Sequence, residues 1–291
     1  MSNEEILIFS DSVTEGVKAE RLALKAFAES HLIILNNCAT GNEYIYKSNA
    51  PLEYMNLLKF LPASPMKILD IGVGRGESSL FLSSLGHQVF AVEPSNDFCK
   101  LIKSAAFKFG LPVTICQGVA EDLDRLRETN FDVVFFNASL HHCDNAFLAL
   151  QHAYQSLRPG GYICLVSELH IRPWVSKGRW YRRLETNPTE MGHYGGNEHA
   201  YYGWEYVNLL SKSGFVNLSI LPMTFNFSAL DRLSDTLSKR INGVRVFNST
   251  GVLVRFSYYI AMEWIKRVAP LFRLLSKMSI EPANYLAHKP S

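Results

Sequence analysis

Apolar and polar positions change period several times along the chain, and each change marks an element. Between residues 15 and 36, Leu22, Ala26 and Ile33 recur near helical spacing, which predicts a helix. The stretch CATGNEYIYKSNAP breaks that pattern, and a short helix over about 52–60 ends at PASP. From there continuous apolar runs alternate with helical stripes. MKILDI, QVFAV, VTIC, FDVVFF and YICLVS read as five strands. A helix runs from about Glu77 to Leu85, where Gly86 stops it. Ser95 can cap the next, whose apolar stripe is Phe98, Leu101, Ile102, Ala105 and Phe109. Asp144 or Asn145 caps a third, and RPGG reads as a turn into the fifth strand.

After the fifth strand the pattern loosens. Residues 169–202 read as a long irregular segment rich in Trp, Tyr, His, Gly and Arg, a kind of segment that is usually functional. WEYVNLLSKSGF returns to helix, VNLSIL is a strand, residues 224–280 are mainly helical, and NYLAHKPS suits a closing strand. Such alternation builds an α/β fold: a Rossmann-like, seven-stranded, mostly parallel sheet with helices on both faces. The expected organisation is an N-terminal helical segment over 1–50, a core over 51–223, a helical insertion or lid over 224–280, and a closing strand of the core over 281–291.

Composition fits a folded chain. Of 291 residues 47% are hydrophobic and 19% charged, and the formal charge of +2 is too small to argue for nucleic acid. The five cysteines are odd in number and form no CxxC, which reads as buried, reduced thiols in the cytoplasm. MSNEEILIF lacks the layout of a signal peptide, and no run of about 18 apolar residues suggests a spanning helix.

The chemistry concentrates at KILDIGVGRG. Gly72, Gly74 and Gly76 follow the first core strand, where the backbone must turn sharply and approach a ligand closely. Glu93 ends the next strand and can accept both hydroxyls of a ribose. A dinucleotide loop wants GxGxxG, whereas the spacing here is GxGxG preceded by Asp70, an acid able to support an ammonium group. That combination favours S-adenosylmethionine over NAD.

These motifs resemble class I S-adenosylmethionine-dependent methyltransferases. ILDIGVGRG resembles the first motif of that family, VEPS its ribose-binding acidic motif, FDVVFFNASLHH its fourth-strand motif, and LRPGGYICLVSE its turn into strand five. The resemblance covers about residues 50–220. It implies that Gly72 and Gly74 lie against the cofactor with Asp70 and Gly76 beside them, and that Glu93, next to Pro94, holds the ribose. Glu121 or Asp122 is expected near adenine with the backbone of Ala120, and Asn137 at the end of strand four.

On the acceptor side, His141 and His142 follow strand four, while Glu168 and His170 follow strand five. His141, His142 and His170 are the catalytic candidates, each as a base toward an acceptor hydroxyl. His193, Glu198 and His199 match no tight zinc spacing, so no metal is expected. NEHAYYGWEYVNLLSKSGF is similar to a stretch of bacterial methyltransferases of glycan and natural-product pathways. The resemblance implies O-methylation of a small molecule: a sugar, glycan precursor or natural product. A lipid-linked or quinone-like acceptor is the alternative, and a nucleic acid or protein acceptor or a non-catalytic cofactor-binding subunit ranks lower. Residues 252–277 are apolar with a basic end, which suits peripheral membrane contact or a homodimer surface.

Overall fold

The computed structural model describes residues 6–10, 14–47, 50–186, 197–223, 268–279 and 282–291. Its strands are β1 (Leu7–Ile8), β2 (Lys67–Ile71), β3 (Gln88–Glu93), β4 (Val113–Gln117), β5 (Phe131–Asn137), β6 (Leu157–Val166), β7 (Val216–Pro222) and β8 (Ala283–His288). They form one sheet in the order β1-β4-β3-β2-β5-β6-β8-β7. Every pairing from β1 to β6 is parallel, and β8 runs antiparallel between β6 and β7.

Strand alternation divides the core into two layers. Ile68, Val89, Ala91, Val133 and Phe135 face one side, and Leu69, Phe90, Val92, Val134 and Phe136 face the other. Both faces are therefore apolar, as a parallel sheet covered on two sides requires. The helices are α1 (Glu15–Asn37), α2 (Gly41–Ile45), α3 (Ala50–Leu58), α4 (Glu77–Ser84), α5 (Asn96–Phe109), α6 (Ala146–Ser156), α7 (Lys177–Thr186), α8 (Gly203–Lys212) and α9 (Ala269–Lys277). Thr14 caps α1 by accepting from the Val17 amide, and Ser95 caps α5 by accepting from Phe98. α1 packs on α5, with the Phe27 and Phe98 rings edge to face at 6.4 Å.

Strand order reverses at β2, whose neighbours are β3 and β5. The carboxyl ends of β2 and β5 consequently flank a crevice, the usual ligand position in such sheets. α1 crosses over that crevice.

The mostly parallel α/β sheet is as expected, with one strand more. β1 adds to the edge beside β4, pairing Leu7 with Cys116 and Ile8 with Gln117. Two residues carry no readable period, which is why ILIF passes unnoticed. α7 occupies part of the segment expected to be irregular. RPGG is absorbed into β6: the register with β5 jumps from Phe131–Leu157 to Val133–Tyr162, and the extra residues bulge out. Of the expected 224–280 insertion, residues 224–267 and 280 lie outside the described residues. α9 buries Phe272 and Ser276 and leaves Leu271 and Leu274 exposed. Among the described residues no helix is long and apolar enough to cross a membrane.

β8 ties the core together. Asn284 donates from Nδ2 to the buried Glu53 carboxylate on α3 at 2.9 Å, and its Oδ1 accepts from the Ser167 amide at 2.9 Å. α8 meets α9 at Gly203, where a Cβ would lie 2.2 Å from the Ser276 carbonyl oxygen. Gly203→Ala must push the two helices apart. We expect a loss of about 1–3 kcal/mol, the usual scale of overpacking, measured by urea denaturation.

Candidate active site

The crevice opens into a cavity of about 310 Å³. The glycine loop, the ends of β3 and β5, the residues after β4, and one face of α1 line it. Gly72 turns the chain out of β2 at φ +68°, and a Cβ there would come within 2.3 Å of Ser139 Cβ. Ser139 Oγ donates to the Ile71 carbonyl at 2.7 Å, so the loops after β2 and β5 touch where only glycine fits.

Glu93 is almost fully buried at the cavity wall. Its Oε2 accepts from the Gly74 amide and its Oε1 from the Ser95 amide, both at 2.9 Å. Burial nevertheless pushes this carboxyl up to about 8, helped by Glu20, while the two amides and Arg21 act the other way. Pro94, Ala120, Glu121, Asn137, Gly72 and Gly74 also line the cavity.

Asp70 does not line it. Its oxygens accept from Tyr54 Oη at 2.8 Å, Ser78 Oγ at 2.8 Å and Ser79 Oγ at 2.7 Å. The acid expected to meet an ammonium group thus braces the first turn of α4 and the core behind it. Gly76 also sits off the cavity, at the N-cap of α4 beneath Ile102.

On the acceptor side, Glu168 is buried at the end of β6. Its Oε1 accepts from the Ser139 and Leu140 amides at 3.1 and 3.0 Å. Its Oε2 accepts from the His141 amide at 3.2 Å and from His141 Nδ1 at 2.7 Å. Burial alone would raise this carboxyl, but the His141 and backbone bonds outweigh it and hold it below the ordinary range. The His141 ring lies on the His142 ring, with centroids 4.3 Å apart. His142 lines the cavity and donates from Nδ1 to the Asn197 carbonyl at 2.5 Å. Burial, then the neighbouring His141, pulls its imidazole down to about 4, so it is neutral near pH 7.

His170 is placed apart from this pair. It donates from Nδ1 to the Glu168 carbonyl at 2.8 Å, and its Nε2 meets Tyr285 Oη at 2.7 Å. With both nitrogens engaged and the ring against Tyr206 and Tyr285, it serves the packing beneath the site.

α1 supplies residues that motif reading missed. Val17, Glu20, Leu24 and Phe27 all line the cavity, at spacings of three, four and three. Glu20 is an acid on an otherwise apolar helical stripe, and that anomaly was the available signal. It accepts from Asn197 Nδ2 at 3.1 Å, and burial raises it to about 7. Asn197 Nδ2 also donates to the His142 carbonyl at 2.9 Å, and the His199 amide to the His141 carbonyl at 2.8 Å. The 197–199 segment is thereby strapped across the histidine pair. Arg75, also at the cavity wall, pairs with Glu77 at 3.2 Å and donates to His31 Nε2 at 2.9 Å.

Residues 69–165 match the family model of a methyltransferase domain. Over those residues the chain carries a methyltransferase domain, on the class I methyltransferase fold. The chain is 29% identical over 180 residues to an S-adenosyl-L-methionine-dependent Diels-Alderase of Talaromyces variabilis, covering 60% of each chain. It is 34% identical over 109 residues to a ubiquinone biosynthesis O-methyltransferase of Azorhizobium caulinodans, covering 38% of this chain and 42% of that one. The chain therefore spans less than two thirds of either relative. Phosphoethanolamine N-methyltransferase 2 of Haemonchus contortus shares the fold at a TM-score of 0.58 and 17% identity, over 97% of this chain and 61% of that one.

S-adenosylmethionine is the cofactor of this domain class, and the cavity suits it. Four carboxyl side chains line the wall (Glu20, Glu77, Glu93 and Glu121) against one guanidinium, Arg75. These carboxyls give the hydroxyl and ammonium groups of such a ligand hydrogen-bond partners along the wall, while Arg75 is taken up by Glu77. Glu93→Ala is expected to weaken S-adenosylhomocysteine binding by about 1.5–3 kcal/mol, read by calorimetry.

A pH dependence follows from the same residue. Glu93 holds its proton up to about 8 in the folded chain and only to its ordinary value of 4.5 when unfolded. The stability this contributes is complete below 4.5 and is lost as pH rises through 8. Thermal melts of the cofactor-free protein should show Glu93→Gln removing part of a decline between pH 5 and 8. Parallel melting curves for the two proteins would contradict the buried-acid assignment.

Proposed function

We propose that the chain methylates a hydroxyl of a small molecule, using S-adenosylmethionine. The observation that carries this reading is the braced histidine pair at the cofactor cavity: Glu168 holds His141, His141 packs on His142, and His142 lines the cavity. Glu198 lies beside the pair, and Glu20 is joined to the His142 carbonyl through Asn197. The site thus offers proton acceptors beside the place where a methyl donor fits.

S-adenosylmethionine, when bound, supplies a methyl carbon already activated by its sulfonium. The chain's own task is to align the acceptor oxygen with that carbon, exclude water and receive a proton. The histidine and carboxylate patch would receive the hydroxyl proton as the acceptor oxygen is alkylated. Val17, Leu24 and Phe27 of α1 line the cavity with apolar surface, and the 197–199 segment is bonded to the carbonyls of His141 and His142.

A small acceptor, such as a sugar, glycan precursor or natural product, suits the aromatic residues of the segment that follows the 197–199 strap. Tyr181 Oη accepts from the Ala200 amide at 3.0 Å, and Tyr202 stacks on Trp204 at 4.2 Å. All five cysteines are buried and unpaired, which supports a reducing compartment such as the cytoplasm.

Incubation with methyl-labelled cofactor and a panel of hydroxylated acceptors tests the reading. His142→Ala is expected to lower turnover by about 10²–10⁴, with cofactor affinity within a few-fold of the parent. Full turnover in that variant would remove His142 from the acceptor side. Label appearing on amines and never on hydroxyls would overturn O-methylation.

A further inference from the structure

The histidine pair and the 197–199 strap converge in a way that base catalysis does not require. One ring nitrogen each of His141 and His142 and a carboxylate oxygen of Glu198 lie within 4.8 Å of one another. Each histidine turns Nδ1 to an acceptor: His141 to the Glu168 carboxylate, His142 to the Asn197 carbonyl. Those bonds fix the tautomer and the orientation of each ring. A carboxylate on one ligand histidine and a backbone carbonyl on the other are the usual outer partners of a metal-binding imidazole. Glu168 is held in place by three backbone amides, so the brace is rigid.

We propose that His141, His142 and Glu198 bind a divalent ion of the zinc class, which receives two oxygens of the acceptor. Two imidazoles and one carboxylate leave coordination positions open, as catalytic sites of this donor set do. Bonds of about 2.0–2.2 Å would bring the three ligand atoms to roughly 3.3 Å apart. Glu198 is only half-buried and sits outside helix and strand, so it is the ligand that moves inward. Glu168, held below the ordinary carboxylate range by its hydrogen bonds, places a negative charge behind the pair. No Lys or Arg among the described residues forms an ion pair with Glu20, Glu168 or Glu198. Glu198 arrives from a segment remote from the histidines, so no compact sequence spacing announces the set.

The ion's role, though not its binding, rests on the O-methylation reading. Chelation by two oxygens names the acceptor class: a vicinal diol, a catechol or a 2-hydroxycarbonyl compound. Coordination makes the hydroxyl more acidic. With both imidazoles engaged, its proton passes to the Glu20 carboxylate at the cavity wall. The oxygen then takes the methyl group, and the sulfonium leaves as a neutral thioether.

The test uses the whole chain stripped with EDTA and titrated with Co²⁺. One Co²⁺ per chain is expected, with visible absorption bands that Zn²⁺ abolishes by displacement. Glu198→Gln and His142→Gln should each lose the bands while keeping S-adenosylhomocysteine binding, and His152→Gln, a histidine outside the cluster, should keep both. No stoichiometric binding, or bands that survive both cluster variants, would overturn the site. Methylation of a diol at full rate in EDTA would overturn the ion's role and leave O-methylation standing. Co²⁺ bound at the site with no transfer to any hydroxyl would support the site and sink the O-methylation reading.

Discussion

Glu168 carries a negative charge into the interior, where water cannot follow it. Such a charge is tolerated only if hydrogen bonds replace its hydration, and here three backbone amides and one imidazole do so. Satisfying that carboxylate dictates the path of the chain after β5. Ser139, Leu140 and His141 must all aim their amides at one point, which folds the segment into a tight turn. The same turn sends Ser139 Oγ back to the Ile71 carbonyl, so the loops after β2 and β5 lock together. The glycine loop and the histidine pair at the cavity thus share one buried anchor.

α1 completes what the sheet begins. A parallel sheet presents its ligand crevice open to solvent, and methyl transfer needs it covered. The helix lays Val17, Leu24 and Phe27 across the crevice and packs its other contacts on α5. Glu20 enters with that apolar stripe, and Asn197 ties it to the carbonyl of His142. α1 and the histidine pair are therefore joined through one amide side chain.

The sequence by itself determined the sheet and its ligand end. Strands buried on both faces show as continuous apolar runs such as ILDI, VVFF and ICLV, and no other element accommodates them in that order. Gly72 was legible because a backbone at positive φ in close contact with Ser139 excludes every other residue. Glu93 was legible because an acid ending a buried strand needs a reason to be there. These are local constraints, and local constraints leave marks on neighbouring residues.

Only the tertiary structure decided the rest. Asp70 and Glu93 end adjacent strands and look alike in sequence, yet one is consumed by three hydroxyls and the other faces the cavity. His141, His142 and His170 were equivalent candidates. Glu168 and Asn197 separate the first two from the third, which the Glu168 carbonyl and Tyr285 hold beneath the site. Glu20 lies far along the chain from Asn197 and His142, and Glu198 comes from beyond α7. Such groupings form when separate segments pack, and each side chain's chemistry is then set by neighbours that no spacing along the chain records.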